Sequence, residues 1–523
     1  MSRGFGKKIN KKPLNSKEIF YQKLLEKAFI AQKNSEISLA EKIYRELFRL
    51  KIKEPSLYFN YGLLLESQKN INQAINVYVV AINYFPNDPN FYNKLALLKK
   101  IKGKYEESKN LFLKSILLDS DFEFGYINLA NLYLFLGRNK KAEEIYRKVL
   151  TKNPKSALCN INLGILLMDQ GQLQEAEKLL LKTIEIEPKS ANAFFLLSKF
   201  KNINHNDSFK RELLKNELLI GQDERSKINI FFARSNIYHL DKKYYESSKN
   251  LIMANSTKLK IIKSDVEKRI NFPNFIYEKY STSIELLEKD SEKTNYIFIV
   301  GMPRSGSTLI ESIISLNDDV FDLGESEGLP RSFNKWIQNK EKYSLFDLYK
   351  KEINAHKIAK RNITDKNLSN YTYIPLILKK IKGARIIHSY RNPLDNILSV
   401  YRANFTNGYS YSSSLVDTAR VLINERNLMK NYKKLYSKNI FSFNYDQLVK
   451  NPEYEIRRLI NWLNFEWNDK YLSPHLNMRK VITTSKVQVR SPINKESLHG
   501  WENYKDLLKP VIKLFGKEDL FPK

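Results

Sequence analysis

Cysteine is almost absent from this sequence: of 523 residues, only Cys159 is a cysteine. A single cysteine excludes a disulfide within the chain and is typical of proteins in a reducing compartment. Because Cys159 lies inside a repeated segment, we interpret it as a packing residue rather than a nucleophile. Long apolar runs are also absent, since no stretch is long enough to span a bilayer and no apolar segment follows the basic N-terminus. The simplest prediction is a cytoplasmic protein.

Two kinds of ligand pattern are absent as well. No group of His, Cys, Asp and Glu has the spacing of a metal site, so we expect no metal. Lys and Arg number 88 against 57 Asp and Glu, a formal net charge of +31, which normally points to nucleic acid or an anionic membrane surface. The lysines are scattered, however, without an Arg-rich reading helix or a basic and aromatic module, so we expect no dedicated nucleic acid binding. The charge is interpreted as an aid to binding anionic ligands.

What the sequence does contain is an internal repeat of 34 residues. Small residues recur at this period in two series, Ala28, Gly62, Ala96, Ala130 and Gly164, and Ala40, Ala74, Ser108, Ala142 and Ala176. Small residues are needed where paired helices approach closely, and Pro86, Pro154 and Pro188 mark repeat ends. The pattern resembles the tetratricopeptide repeat (TPR). It predicts a TPR α-solenoid over residues 20–255, after a basic tail at 1–19 and before a helical linker at 256–294.

From residue 295 onward, short apolar runs alternate with helical segments. Residues 296–300, 384–389 and 440–444 have the composition of buried strands, which predicts an α/β domain with a parallel sheet over residues 295–523. Ligands of such sheets bind beyond the carboxyl ends of the strands. The first two predicted strands both end in residues that are suited to binding an anion.

The first strand ends in a glycine-rich turn. The spacing Gly301-x4-Gly306-Ser307-Thr308 resembles a Walker A loop, in which backbone N–H groups and the positive end of the next helix bind phosphate. Ser307 occupies the position of the Walker lysine, and Arg304 lies within the loop instead. We therefore expect no NTP hydrolysis. A plain connection between a strand and a helix is the alternative interpretation.

The second strand leads to Arg391, with Ser399 eight residues later on a predicted helix. A guanidinium at the end of a strand and a hydroxyl on the following helix can bind one phosphate together, with the arginine providing two parallel hydrogen bonds. Combined with the loop at 301–308, this pair predicts one ligand with two separate anionic groups.

At these residues the sequence resembles the sulfotransferases. Residues 303–308 resemble their 5′-phosphosulfate loop, and Arg391 with Ser399 resembles their 3′-phosphate site. Further segments resemble tyrosylprotein sulfotransferases in particular: Gly324-Glu325, Asp365-Lys366-Asn367, Asn444-Tyr445-Asp446-Gln447-Leu448, residues 484–494 and Trp501. The resemblance covers residues 295–505 and implies a P-loop-like α/β sulfotransferase domain. The implied donor is 3′-phosphoadenosine 5′-phosphosulfate (PAPS).

The resemblance also implies a role for each matching residue. The implied catalytic residues are Glu325 as general base, Arg304 and Lys366 at the sulfuryl group, and Thr484. The implied donor-binding residues are Arg304, Ser305, Gly306, Ser307, Thr308, Leu309, Arg391, Ser399, Tyr445, Ser485 and Gln488. Glu327 is the alternative base, and His388 is interpreted as a packed core residue. Cationic side chains suffice to neutralise the transferred group, so no metal is required.

The acceptor region departs from the animal tyrosylprotein sulfotransferases. Where those proteins have Lys before the residue matching Trp501, this sequence has Gly500, and where they have Arg two residues after the base it has Glu327. The acceptor therefore stays open between protein tyrosine, glycan, lipid and small phenol. The main hypothesis is a PAPS-dependent sulfotransferase whose TPR array binds the acceptor or a partner. The alternatives are a TPR scaffold with a nucleotide-binding but inactive domain, and a nucleotide kinase, which the missing Walker lysine disfavours.

Overall fold

The computed structural model describes residues 16–281, 294–353, 360–405, 408–477, 479 and 488–515. Its contacts divide the chain into two compact units, Met1–Leu163 and Gly164–Lys523. The domain boundaries that the sequence suggests, at residues 20, 256 and 295, stay a prediction.

The first unit is a solenoid of paired helices, as predicted. Its helices, together with the one that reaches past its end, are α1 (Ser16–Lys33), α2 (Ile37–Arg49), α3 (Pro55–Ser67), α4 (Ile71–Tyr84), α5 (Pro89–Ile101), α6 (Tyr105–Leu118), α7 (Glu123–Phe135), α8 (Asn139–Lys152) and α9 (Ala157–Gln170). The alanines of both small-residue series are fully buried. Ser108, the polar member, donates a hydrogen bond to the Ala96 carbonyl oxygen at 2.7 Å. The 34-residue period therefore marks the close contacts between paired helices.

The second unit begins with further helices: α10 (Leu173–Ile186), α11 (Ala191–Leu197), α12 (Asp207–Leu214), α13 (Glu224–Leu240), α14 (Tyr244–Ile261) and α15 (Val266–Tyr280). Helices α13 and α14 share a hydrophobic core with later parts of the chain, where Phe232 and Leu251 pack in one cluster with Leu398. Helix α15 lies in the segment predicted to be a linker. Its Ile276 is fully buried in a cluster that includes sheet residues such as Phe298, so α15 packs against the sheet.

The sheet has five parallel strands, β1 (Asn295–Gly301), β2 (Val320–Asp322), β3 (Asn362–Asp365), β4 (Arg385–Tyr390) and β5 (Ile440–Asn444). Their order is β2-β3-β1-β4-β5. The structure confirms the three predicted strands, which are β1, β4 and β5. Strands β2 and β3 escaped prediction because they are short, and because β3 has the sequence Asn362-Ile-Thr-Asp365 rather than an apolar run. Asn362 tolerates burial there because its side chain accepts a hydrogen bond from Asn295 at 2.9 Å.

Helices cover both faces of this sheet: α16 (Ser307–Ile314), α17 (Gly328–Gln338), α18 (Leu345–Ile353), α19 (Ile374–Lys380), α20 (Pro393–Tyr401), α21 (Leu415–Leu435), α22 (Tyr445–Lys450), α23 (Pro452–Trp462) and α24 (Lys505–Phe515). Alternate residues of β1 enter two different cores. Phe298 and Val300 pack with α17, α18 and α19, whereas Ile297 and Ile299 pack with α16 and α23. Burial on both faces explains why β1 has a continuous apolar sequence. Within the described ranges, no helix is long and apolar enough to cross a membrane.

Candidate active site

The site lies at the carboxyl ends of the central strands. Strand β1 runs between β3 and β4, and the chain passes to opposite sides of β1 to form those neighbours. A crevice opens at such a reversal of strand order, and ligands of parallel sheets bind there. The segments that follow β1, β3 and β4 therefore meet in one place, although they are far apart in sequence.

The loop after β1 has the backbone of an anion-binding turn. Gly301, Arg304 and Gly306 all have positive φ angles, of 137°, 65° and 96°, and helix α16 begins directly afterwards at Ser307. The first N–H groups of a helix have no acceptor within it and carry its positive dipole end. The loop can therefore hold an oxyanion, as its sequence predicts.

Residues from the neighbouring strand and helix fix this loop. Ser389, in β4, donates a hydrogen bond from Oγ to the Ser305 carbonyl oxygen at 2.8 Å. Asn396, in α20, donates from Nδ2 to the Pro303 carbonyl oxygen at 2.9 Å. These two hydrogen bonds connect the loop at residues 301–306, which we call the phosphate loop after its sequence pattern, to the segment that carries Arg391 and Ser399.

The structure brings the two predicted anion-binding segments into direct contact. Arg304 Nε donates a hydrogen bond to Ser399 Oγ at 3.1 Å, across 95 residues of sequence. Burial, followed by the nearby charge of Arg391, lowers the pKa of Arg304 to about 10. An anion bound beside Arg304 would offset the effect that the Arg391 charge has on this guanidinium.

Arg391 and Tyr445 form the opposite side of this cluster. The Arg391 guanidinium lies 4.9 Å from the centre of the Tyr445 ring, and its Nη2 donates to the Ser497 carbonyl oxygen at 2.6 Å. The Tyr445 hydroxyl is 2.9 Å from Ser497 Oγ. Arg391 Nε is buried and has no hydrogen-bond partner within the described part of the chain. A side chain on Gly306 would overlap the Tyr445 ring, so the loop and the ring are in close contact.

Glu325 and Lys366 meet because β2 and β3 are parallel neighbours. Past the ends of these strands, the Lys366 backbone N–H donates to the Gly324 carbonyl oxygen at 2.8 Å. Lys366 Nζ then lies 3.0 Å from Glu325 Oε1. The Lys366 side chain is only 1% exposed, whereas that of Glu325 is 46% exposed. The arrangement offers a solvent-facing carboxylate backed by a buried cation.

Asp365 organises the turn that carries Lys366. Its Oδ1 accepts hydrogen bonds from the Asn367 backbone N–H and the Asn370 side chain, both at 3.1 Å, and its Oδ2 accepts from the Tyr349 hydroxyl at 2.9 Å. Burial raises the pKa of Asp365 to about 7. Within the motif Asp365-Lys366-Asn367, Asp365 therefore stabilises the turn, and Lys366 is the residue that contacts Glu325.

Sequence reasoning missed a second carboxylate beside Lys366. Glu311, in α16, is 1% exposed and places Oε2 3.8 Å from Lys366 Nζ. The same oxygen lies 2.9 Å from Arg479 Nη1, which is also 2.7 Å from Asp322 Oδ2. The sequence did contain a signal for this residue: Glu311 is the one charged residue in the apolar helix Ser307–Ile314, and a charge in such a helix indicates a buried ion pair.

The other predicted residues fall into three groups. Ser305, Ser307 and Thr308 are buried in the loop and first turn of α16, and Leu309 is partly buried beside them. Thr484 and Ser485 lie outside the described residues, and Gln488 begins a short helical turn, Gln488–Arg490.

The remaining alternatives sit apart from this cluster or at its rim. Glu327 precedes α17 and is exposed. His388 is buried, and its Nε2 lies 2.8 Å from Glu425 Oε1, as expected of a core histidine. In the described ranges, no group of three or more His, Cys, Asp or Glu side chains could hold a metal ion.

Both parts of the chain are similar to known families. Residues 296–469 match the model of the Sulfotransferase family. This chain carries a sulfotransferase-family domain. Residues 55–88, 89–122 and 133–199 match models of the tetratricopeptide repeat, so TPR repeats precede the sulfotransferase-family domain.

Individual relatives match only part of their own length. An uncharacterized protein of Aquifex aeolicus (strain VF5) is 32% identical over 243 residues, which are 42% of this chain and 32% of that protein. Protein-tyrosine sulfotransferase A of Caenorhabditis elegans is 22% identical over 246 residues, 42% of this chain and 64% of that protein. A solved tetratricopeptide repeat protein of Parabacteroides merdae is 18% identical, with a TM-score of 0.34 over 45% of this chain and 93% of that chain.

Proposed function

We propose that the sulfotransferase-family domain transfers a sulfuryl group from PAPS to a hydroxyl acceptor. The observation that carries the proposal is the pair formed by Glu325 and Lys366, with Nζ and Oε1 3.0 Å apart, next to an anion-binding loop. Transfer to a hydroxyl needs a base for the acceptor proton and a cation for the charge that develops on the donor. This pair supplies both groups.

The donor proposal is supported by the anion-binding groups in the crevice. The loop carrying Arg304 would hold the 5′-phosphosulfate, and Arg391 with Ser399 would hold the 3′-phosphate. The buried Arg391 Nε has no hydrogen-bond partner within the described residues, although Asp446 Oδ1 lies 3.8 Å away. A buried donor without a hydrogen bond is suited to a ligand oxygen. Tyr445, whose ring contacts both the loop and Arg391, is suited to the adenine side. When bound, PAPS supplies the sulfuryl group.

The two halves of the pair have different environments, which fits their proposed roles. Glu325 faces solvent and would take the proton from the acceptor hydroxyl. Lys366 is buried, so its charge acts on the transferred group through little intervening water. Arg304 would neutralise the sulfuryl oxygens with Lys366. The TPR repeats would bind the acceptor or a partner protein, because solenoids of this kind expose long binding surfaces.

Donor binding is the first test. We expect 3′-phosphoadenosine 5′-phosphate (PAP), the product left by the donor, to bind the purified protein in calorimetric titration with a micromolar Kd. ATP should bind much more weakly. Ser399→Ala should weaken PAP binding, because the variant lacks the hydroxyl proposed to bind the 3′-phosphate with Arg391. No PAP binding by the wild-type protein would contradict the proposal.

Catalysis is tested separately with Glu325→Gln. The variant keeps the size of the side chain but cannot accept a proton at neutral pH. We expect PAP affinity within about threefold of wild type and turnover lowered at least about a hundredfold, measured as transfer of labelled sulfate from PAPS to a panel of hydroxyl acceptors. Glu327→Gln is the matched control, two residues away. PAP binding without turnover on any acceptor would favour a TPR scaffold whose domain binds nucleotide but is inactive.

A further inference from the structure

We propose that Glu311 is a positioning residue that holds the Lys366 ammonium at the transferred group. The inference rests on the proposed function, since it assigns Lys366 to the sulfuryl oxygens. Lys366 lies between two carboxylates, Glu325 at 3.0 Å and Glu311 at 3.8 Å from Nζ. One faces solvent and the other is buried, so the two cannot serve the same purpose.

The location of Glu311 connects Lys366 to the phosphate loop. Glu311 lies on α16, one turn after the loop residues Ser307 and Thr308. Lys366 follows β3, the strand beside β1. The contact between Glu311 and Lys366 therefore joins the ammonium at the end of one strand to the helix that begins at the anion-binding loop of the next.

Burying the Glu311 carboxylate costs free energy unless partners compensate its charge. A carboxylate that is 1% exposed needs compensating charge or hydrogen bonds. Glu311 Oε2 has both, from Lys366 and from Arg479. Its Oε1, however, is buried without a hydrogen-bond partner among the described residues. The carboxylate thus has acceptor capacity beyond what its pairing with Arg479 uses.

The proposed reaction gives this second carboxylate a purpose. When Glu325 takes the proton of the acceptor hydroxyl, its negative charge is lost and its attraction for Lys366 falls. Glu311 takes no part in that proton transfer and keeps its contact with Arg479. It therefore holds Lys366 in place while the bond from sulfur to the donor oxygen breaks and the bond to the acceptor oxygen forms.

The experiment compares affinity for PAPS with affinity for PAP, because only PAPS carries the sulfuryl oxygens that Lys366 would bind. Both Kd values are measured by calorimetry without acceptor. We expect Glu311→Gln to lower the wild-type preference for PAPS over PAP by about tenfold, the loss of one charge-assisted contact. Lys366→Gln should lower the preference at least as much. The double variant should lower it no further than Lys366→Gln alone, because coupled residues are not additive.

Asp322→Asn is the matched control, because Asp322 shares Arg479 with Glu311, whereas the ion pairs of Lys366 among the described residues are with Glu311 and Glu325. We expect its preference for PAPS to stay within about twofold of wild type. Equal effects of Glu311→Gln and Asp322→Asn, or a fully additive double variant, would overturn the inference in favour of a structural role. If the wild type binds no PAP at all, the proposed function itself fails.

Glu311→Asp provides a second variant should Glu311→Gln fail to fold. It keeps the charge that Arg479 needs but withdraws the carboxylate from Lys366. A preference for PAPS lowered by about threefold or more would support the inference. An unchanged preference would overturn it.

Discussion

His239 is expected to make the second unit sensitive to mild acid, and His239→Gln should remove that sensitivity. His239 lies in α13, where its Nε2 is 3.1 Å from Arg402 Nη1 and its Nδ1 is 2.9 Å from the Tyr504 hydroxyl. A guanidinium can only donate, so Nε2 must accept and the imidazole is neutral. Burial, aided by the Arg402 charge, lowers the pKa of His239 to about 3.

The sign and size of the effect follow from proton linkage. An unfolded histidine has a pKa of about 6.5, so below that pH the unfolded chain binds a proton that the folded protein excludes. The contribution of the neutral His239 to the free energy of unfolding is therefore fully present above pH 6.5, and it is lost as the pH falls from 6.5 toward 3. Between pH 7 and pH 5 the loss amounts to at most about 2 kcal/mol of the free energy of unfolding. Gln can accept from Arg402 and donate to Tyr504, but it does not titrate.

The assay is urea unfolding at several pH values from 5 to 7, followed by tryptophan fluorescence. All four tryptophans are in the same unit as His239: Trp336, Trp462, Trp467 and Trp501. The wild type should lose more stability toward pH 5 than His239→Gln does. His205→Gln, at an exposed histidine, should behave as wild type. Identical pH dependence of wild type and His239→Gln would refute the reasoning.

Three further predictions concern Asp365, Gly306 and Gly62. Asp365→Asn should raise the free energy of unfolding at pH 8 relative to pH 5, with the urea assay extended to pH 8, because burial raises the pKa of Asp365 and its ionisation costs stability as the pH rises from about 4 to 7; parallel curves for the variant and the wild type would contradict this. Gly306→Ala should lower the affinity for PAP at least about tenfold in calorimetry, because Gly306 has a φ angle of 96° and an added Cβ would overlap Tyr445; an affinity equal to that of the wild type would count against this prediction. Gly62→Val should cost about 1–3 kcal/mol by circular dichroism, because the added atoms overlap Tyr78; an unchanged melting curve would argue against that packing.

The sequence by itself determined the features that depend on local spacing. Two series of small residues at a 34-residue period, which include Gly62 and Ala74, are typical of stacked helix pairs, so they were sufficient to predict the solenoid. The phosphate loop is equally local, because the positive φ angles at Gly301 and Gly306 and the helix start lie within one short segment. The central strands were readable since both of their faces are buried.

Only the tertiary structure decided which distant side chains share a site. Lys366 and Glu325 are 41 residues apart and meet because β2 and β3 are neighbours in the sheet. Glu311 and Arg479 are 168 residues apart. In the sequence, Glu325 and Lys366 are distinguished only by short segments that resemble sulfotransferases, and Glu311 only as the one charged residue of an apolar helix. Neither signal says how far apart these side chains lie. Strand order places them together, and burial then makes each charge depend on its partner, which is information that spacing along the chain does not carry.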